Sequence, residues 1–194
     1  MDALLKGIYA AFDTCPALPA FCPMPDDIRP QAVAAHHIPA STLFQTDTAL
    51  TSRCFAPFVD ALVAAAPHAH WRETYKGTDI GETFLSQFGC YGLIGPNAPW
   101  TSDHIRAWMV YMPAGLHYPW HHHPGEEIYL VLAGEAEFAR RGAAPEILGE
   151  GHSVMHAKNQ PHATTTHGAP LLALVLWRSA FGSPPVLSEA AELA

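Results

Sequence analysis

"GLHYPWHHHPGEEIYLVLAG", residues 115–134, places three adjacent histidines, two adjacent glutamates and two tyrosines between a pair of glycines, then runs straight into an apolar strand. In an extended chain successive side chains point to opposite faces, so His121 and His123 share a face while His122 takes the other. A turn at Pro124-Gly125 resets the direction. On the next strand Glu127 and Tyr129 again share a face, and Glu126 and Ile128 take the other. One closed pocket can therefore hold His121, His123, Glu127 and Tyr129. Left without a partner in a strand-built interior, two imidazoles and a carboxylate would be costly to bury. Held by neighbouring strands with coordination positions left open, they suit a catalytic divalent transition metal such as zinc, iron, manganese, cobalt or nickel. A further ligand has to come from elsewhere. The candidate is His162, in "GHSVMHAKNQPHATTTH" (151–167), between a turn and a strand.

The strand reading extends outward from this stretch. Glu82–Phe88, Ile105–Tyr111, Ile128–Leu132, Ala136–Ala139 and Leu171–Trp177 are short runs rich in β-branched and aromatic residues, separated by Gly, Pro or Asn. Short strands without intervening helices predict a sandwich or barrel. Before about Trp71 the pattern differs. Apolar residues recur at helical spacing over Asp2–Phe12 and Phe55–Ala66, and alanine-rich content favours helix there. Between them "CPALPAFCPMPDDIRP" (15–30) is too rich in proline for a continuous helix or a central strand, and reads as an ordered, turning connection. The expected organisation is a helical N-terminal extension over 1–70, packed on a mainly β barrel domain over 71–194.

A chain of 194 residues suits one domain with a full core. Hydrophobic content of 49% against 14% charged residues lets it bury enough apolar surface to offset its ordering entropy. With 10 basic and 18 acidic side chains and no basic cluster, there is no electrostatic footprint for nucleic acid. The longest apolar run, Leu171–Trp177, is far shorter than the roughly 20 residues that cross a bilayer. Met1–Ala11 lacks the basic start, apolar core and cleavage site of a secretory signal, so a cytoplasmic location is expected. Cys15, Cys22, Cys54 and Cys90 are spaced too irregularly for a zinc knuckle, and are expected to stay free thiols packed as small hydrophobes.

Two spacings carry a family resemblance. Gly115-x5-His121-x-His123-x3-Glu127-x6-Gly134 resembles the first cupin motif at every position. Gly151-x5-Ala157-x-Asn159-x2-His162-x3-Thr166 resembles the second in spacing, with Ala157, Asn159 and Thr166 where that motif usually has Pro, Gly and Asn. The resemblance covers about residues 71–185 and implies a cupin barrel of two antiparallel sheets holding one divalent metal. "EEIYLVLAGEAEF", "HYPWHHHPGEE" and "PHATTTHGAPLLALVLWR", together with the helical start, further resemble the small bacterial cupin-type dimethylsulfoniopropionate (DMSP) lyases, which cleave DMSP to dimethyl sulfide and acrylate. That resemblance implies His121, His123, Glu127 and His162 around the metal, Tyr129 as base and Tyr118 as a second tyrosine beside the substrate. Relatives of this fold often dimerise, which makes a homodimer a candidate assembly.

The implied chemistry fits these residue types. Elimination removes a weakly acidic proton α to a carboxylate and expels a neutral sulfide, so a base and stabilisation of negative charge are what the protein must supply. A tyrosine is a poor base at neutral pH unless a neighbouring cation favours its phenolate. The sulfonium of this zwitterion cannot hydrogen-bond and seeks aromatic faces, for which Tyr118, Trp120, Trp108 and Trp177 are candidates. Tyr118 has the opposite strand parity to His121, so only an irregularity near Pro119 would turn it inward. His122, His152, His156 and His167 read as surface or hydrogen-bonded core residues, and Glu126 as an outward carboxylate. The rival activity for the same ligand set is an iron-dependent cupin dioxygenase acting on a small thiol or enol, and a third reading is a cupin module that binds without catalysis.

Overall fold

The structure, a computed structural model, describes residues 2–189. Helix α1 spans Asp2–Thr14, and four shorter helices follow: α2 (Ala17–Phe21), α3 (Pro39–Thr46), α4 (Ala56–Ala65) and α5 (Glu82–Gln87). Pro39 and Pro57 lie in the first turns of α3 and α4, where a missing N–H costs nothing. The strands are β1 (Arg29–Pro30), β2 (Gly89–Ile94), β3 (Trp100–Thr101), β4 (Arg106–Met112), β5 (His117–His122), β6 (Glu127–Arg140), β7 (Glu146–Gly149), β8 (Ser153–His156), β9 (His162–Thr165), β10 (Leu171–Trp177) and β11 (Val186–Leu187). Among the described residues no helix is long and apolar enough to cross a membrane.

The protein is mainly β, as expected, with its strands in two sheets. Hydrogen bonds run along β1-β3-β2-β4-β10-β6-β9-β5-β11, with β7 and β8 also on β6, and this path does not close on itself. Among these strands the pairings are antiparallel except for one parallel contact, Ile94 with Trp100, and a second parallel bridge, His36 with His70, lies outside them.

One strand joins the two sheets. The first half of β6 pairs with β8 and β10, and its second half pairs with β7 and β9. The changeover is at Gly134, whose φ of +72° suits glycine and where any Cβ would run into the Pro170 carbonyl. Just before it the partners of Leu172 and Ala173 are Ala133 and Val131, so Leu132 is an extra residue on β6 and bulges the strand. The separate strands expected at Ile128–Leu132 and Ala136–Ala139 are therefore one, because the glycine between them bends the chain from sheet to sheet instead of turning it back.

A second departure is Glu82–Phe88, expected as a strand and found as α5 with Phe88 as its C-cap. Gly81 at φ +96° and Glu82 in the first turn start the helix, and Phe84 and Phe88, four residues apart, stack at 4.7 Å. Helical period outweighs the β preference of the individual residues. The proline-rich connection holds the short α2 and the edge pair β1, which extends the sheet through β3. All four cysteines are free, but Cys54 is exposed and not a buried hydrophobe.

The central strands bury both faces. Along β10, Leu172, Leu174 and Leu176 join Ile128, Leu130 and Leu132 of β6 in a core shared with Ile8, Phe44, Phe58 and Leu62 of the helices. Leu171, Ala173, Val175 and Trp177 face the other way, with Tyr129, Val131 and Phe138, into the barrel interior. This explains a seven-residue strand with no exposed position: helices cover what would otherwise be its solvent face. Glu150, in the turn between β7 and β8, fastens the cover, accepting hydrogen bonds from Ser52 Oγ (2.8 Å), Arg53 N (2.9 Å) and Cys54 N (2.6 Å) just ahead of α4.

Candidate functional site

At the open end of the interior, β5, β6 and β9 bring the expected ligands together. His123, Glu127 and His162 offer ligand atoms that all lie within 4.8 Å of one another, and all three residues are buried. His123 Nε2 and His162 Nε2 stand 3.3 and 3.4 Å from Glu127 Oε2. Both nitrogens are buried without a hydrogen-bond partner. Each ring is oriented from behind, since His123 Nδ1–H donates to the Gly125 carbonyl (2.9 Å) and His162 Nδ1–H to that of Gln160 (2.8 Å). A carbonyl can only accept, so Nδ1 carries the proton and Nε2 aims a lone pair at the carboxylate oxygen. Two buried lone pairs converging on an anionic oxygen are a poor arrangement alone and a good one around a cation. The donor set thus fits a divalent transition metal.

His121 stands beside this trio. Its Nδ1–H donates to the Pro119 carbonyl (2.8 Å) and its ring lies 4.1 Å from that of His162, but its donor atoms fall outside the close group. Burial, reinforced by His162, holds its pKa well below the ordinary histidine value. Burial acts on His123 in the same direction and is the largest single cause, yet the charge of Glu127 and the hydrogen bonds to Glu127 and to the Gly125 carbonyl together outweigh it and raise that imidazole. Glu127 is held well below the usual carboxylate range, against the effect of its own burial, by His123, His156 and His162.

Two residues grip Glu127 from outside the trio. Trp177 Nε1–H donates to Oε1 at 2.6 Å and His156 Nδ1–H to Oε2 at 2.8 Å. His156 is the residue that sequence reasoning undervalued: buried and hydrogen-bonded, as expected, but bonded to the central carboxylate and stacked on His162 at 3.8 Å. Burial lowers its pKa to about 3, so it is a neutral donor at working pH. The available signal was its register: His156 pairs directly with Glu127 across β8 and β6. A pairing between strands 29 residues apart is not visible in a motif.

The other expected residues fall into two sets. Tyr129 faces the interior and, with Glu127, Tyr118, Trp108 and Trp177, lines a small cavity over the trio. Tyr118 is turned inward by the irregularity expected near Pro119: the β5–β9 register shifts between Tyr118 and His121, and their rings stack at 3.8 Å. Trp120 is partly exposed and is not among the cavity's walls. His122 reaches Ser188 (2.9 Å), and Glu126 pairs with Arg178 (2.6 Å) instead of standing solvated alone. Sequence reasoning also missed Tyr75, whose hydroxyl meets that of Tyr118 at 2.9 Å, and Cys90 and Arg72, which line the same cavity.

Comparison with known proteins places this site among relatives. Residues 25–173 match the dimethylsulfoniopropionate lyase family. The chain is 48% identical over 191 residues to the dimethylsulfoniopropionate lyase DddQ of Ruegeria pomeroyi, covering 96% of this chain and 95% of that protein. The crystal structure of DddQ from the same organism superposes with a TM-score of 0.93 at 46% identity, covering 95% of this chain and 94% of that one. A chain from the crystal structures of the DMSP lyases RdDddP and RnDddQII gives 0.89 at 38% identity, over 97% and 98% of the two chains.

Proposed function

The chain belongs to the dimethylsulfoniopropionate lyase family, and from that membership we propose that it is a carbon–sulfur lyase that eliminates dimethyl sulfide from DMSP to leave acrylate, with metal assistance and Tyr129 as base. The observation that carries the reading is the inward face of β6, which sets Tyr129 two residues from Glu127 in one cavity. His123, Glu127 and His162 are the proposed ligands, with His121 the fourth candidate beside them. A bound divalent ion supplies Lewis acidity toward the substrate carboxylate and a positive charge next to the phenol.

Tyr129 needs that charge. Burial, and then the negative Glu127, hold its phenol well above the ordinary tyrosine value, so the protein part alone keeps it protonated. Cancelling the charge of Glu127 removes the largest cause after burial, and a net positive site reverses its sign. Tyr129 then takes the α proton while the electron pair of the Cα–H bond forms the new double bond and the Cβ–S pair leaves with sulfur. Tyr118 is fixed by Tyr75 and His121, and lines the same cavity. Cys90, whose thiol burial pushes up to about 11, stays protonated and does not compete as a base.

The test is headspace sulfide and acrylate measured together on purified protein. Equal yields, abolished by a chelator and restored by added metal without oxygen uptake, are expected. Turnover that consumes oxygen, or that survives complete metal removal, would overturn the reading.

A further inference from the structure

Arg72 is the single basic side chain lining the cavity over the ligand trio, and it also lines the larger cleft leading outward. In a chain with 18 acidic and 10 basic side chains, carboxylates to pair with are in surplus. Arg29, Lys76, Arg140 and Arg178 each have one within reach. Among the described residues Arg72 has none; neither do Lys6, Arg53, Arg106, Arg141 and Lys158, but of these six Arg72 alone lines the cavity over the trio. Its neighbour in space is the ring of Trp108, whose centroid lies 5.3 Å from the guanidinium carbon. The backbone beneath it is fixed: Arg72 N donates to Cys90 O at 2.8 Å, and the preceding Trp71 is fully buried and bridged to Tyr91.

The guanidinium also meets the Cys90 thiol, but that is a weak partner and not an anion. A guanidinium without a carboxylate partner, on a firm base and lining a pocket, is a site for an anion, and its planar fork matches a carboxylate. Resting on the lyase reading above, we propose that Arg72 binds the substrate carboxylate and so decides which way round the zwitterion enters. The guanidinium and a bound ion would share the carboxylate, which lies on the side of Arg72 and Trp108, and the sulfonium turns away from them toward the aromatic wall of Phe88 and Tyr118. Trp108 already faces one cation, so a second on that ring would be repelled, which removes it from the sulfonium seats expected from sequence. Charge discrimination of this kind separates carboxylated sulfonium compounds from uncharged sulfides and simple sulfonium salts.

The experiment separates the two ends of the substrate. Propionate carries the carboxylate alone and ethyldimethylsulfonium the cation alone. Their binding is read by calorimetry, and DMSP kinetics are measured alongside, for wild type, Arg72→Lys and Arg72→Met. Arg72→Met is expected to weaken propionate binding and raise KM for DMSP by about tenfold or more, with ethyldimethylsulfonium bound as well or better and kcat changed less than KM. Arg72→Lys, which keeps charge and stem but loses the fork, falls between. An Arg72→Met protein that binds propionate as tightly as wild type, or that loses both probes equally, overturns the assignment. A wild type inert toward DMSP would overturn the lyase reading instead, and leaves the propionate measurement intact as the test of Arg72.

Discussion

Strands β6 and β10 present two different surfaces. Inward they carry Glu127, Tyr129 and Trp177, polar or hydrogen-bonding groups that are buried, with the Trp177 indole donating to Glu127. Outward, one residue along, they carry Ile128, Leu130, Leu174 and Leu176, buried just as completely against helices and making no polar contact through their side chains. Burial is the same and chemistry opposite. The difference teaches that depth alone does not mark a functional residue in this protein; what marks it is a polar group whose burial cost is met only by specific partners.

Replacing residues on each face should separate function from stability. The largest expected effect is inward: Tyr129→Phe removes only a hydroxyl and should lower turnover by about 10²- to 10⁴-fold, with melting temperature and metal content little changed. Retained turnover would remove Tyr129 as base. Outward, Leu174→Ala should cost roughly 2–5 kcal/mol in a denaturant titration, because the helix-covered site cannot collapse around the gap, with turnover per folded molecule preserved. Back on the inner side, His156→Leu leaves Glu127 Oε2 without its donor, and metal affinity should fall about ten- to a hundredfold. His156→Asn, which can still donate, should recover part of that loss. If both variants bind metal like wild type, His156 only packs.

The smallest expected effect concerns the fastening of the outer cover. Burial alone would raise the Glu150 carboxyl, but hydrogen bonds from Cys54, Ser52 and Arg53 bring it below its ordinary value. A carboxyl depressed in the folded state stabilises above its unfolded pKa, and that contribution is lost as pH falls through the folded one. Glu150→Gln should therefore melt slightly below wild type at neutral pH, and the gap should close on acidification. A gap that stays constant with pH would mean that the charge is not what holds residues 52–54.

How much of this was legible in sequence depends on distance along the chain. Parity over a few residues was enough to place His123, Glu127 and Tyr129 on one side, because Pro124-Gly125 and the strand after it are local. It also anticipated that Tyr118 needs an irregularity near Pro119, which the register shift supplies. Parity was not enough for His156, Arg72 or Tyr75, whose roles come from strand pairing and from segments folded over the pocket. It failed for Glu82–Phe88, where residue preference and helical period disagreed, and packing of Phe84 on Phe88 decided for the helix.

By itself, then, the sequence determined the alternation that sends two imidazoles, a carboxylate and a phenol inward, since a period of two residues is a property of any extended chain. Tertiary structure decided what surrounds them. Which histidines close on Glu127, which donors hold its two oxygens, and why a strand such as Leu171–Trp177 is apolar on both sides follow from partners tens of residues away. No local pattern encodes these, because hydrogen bonds and burial are settled only when the sheets and the helices meet.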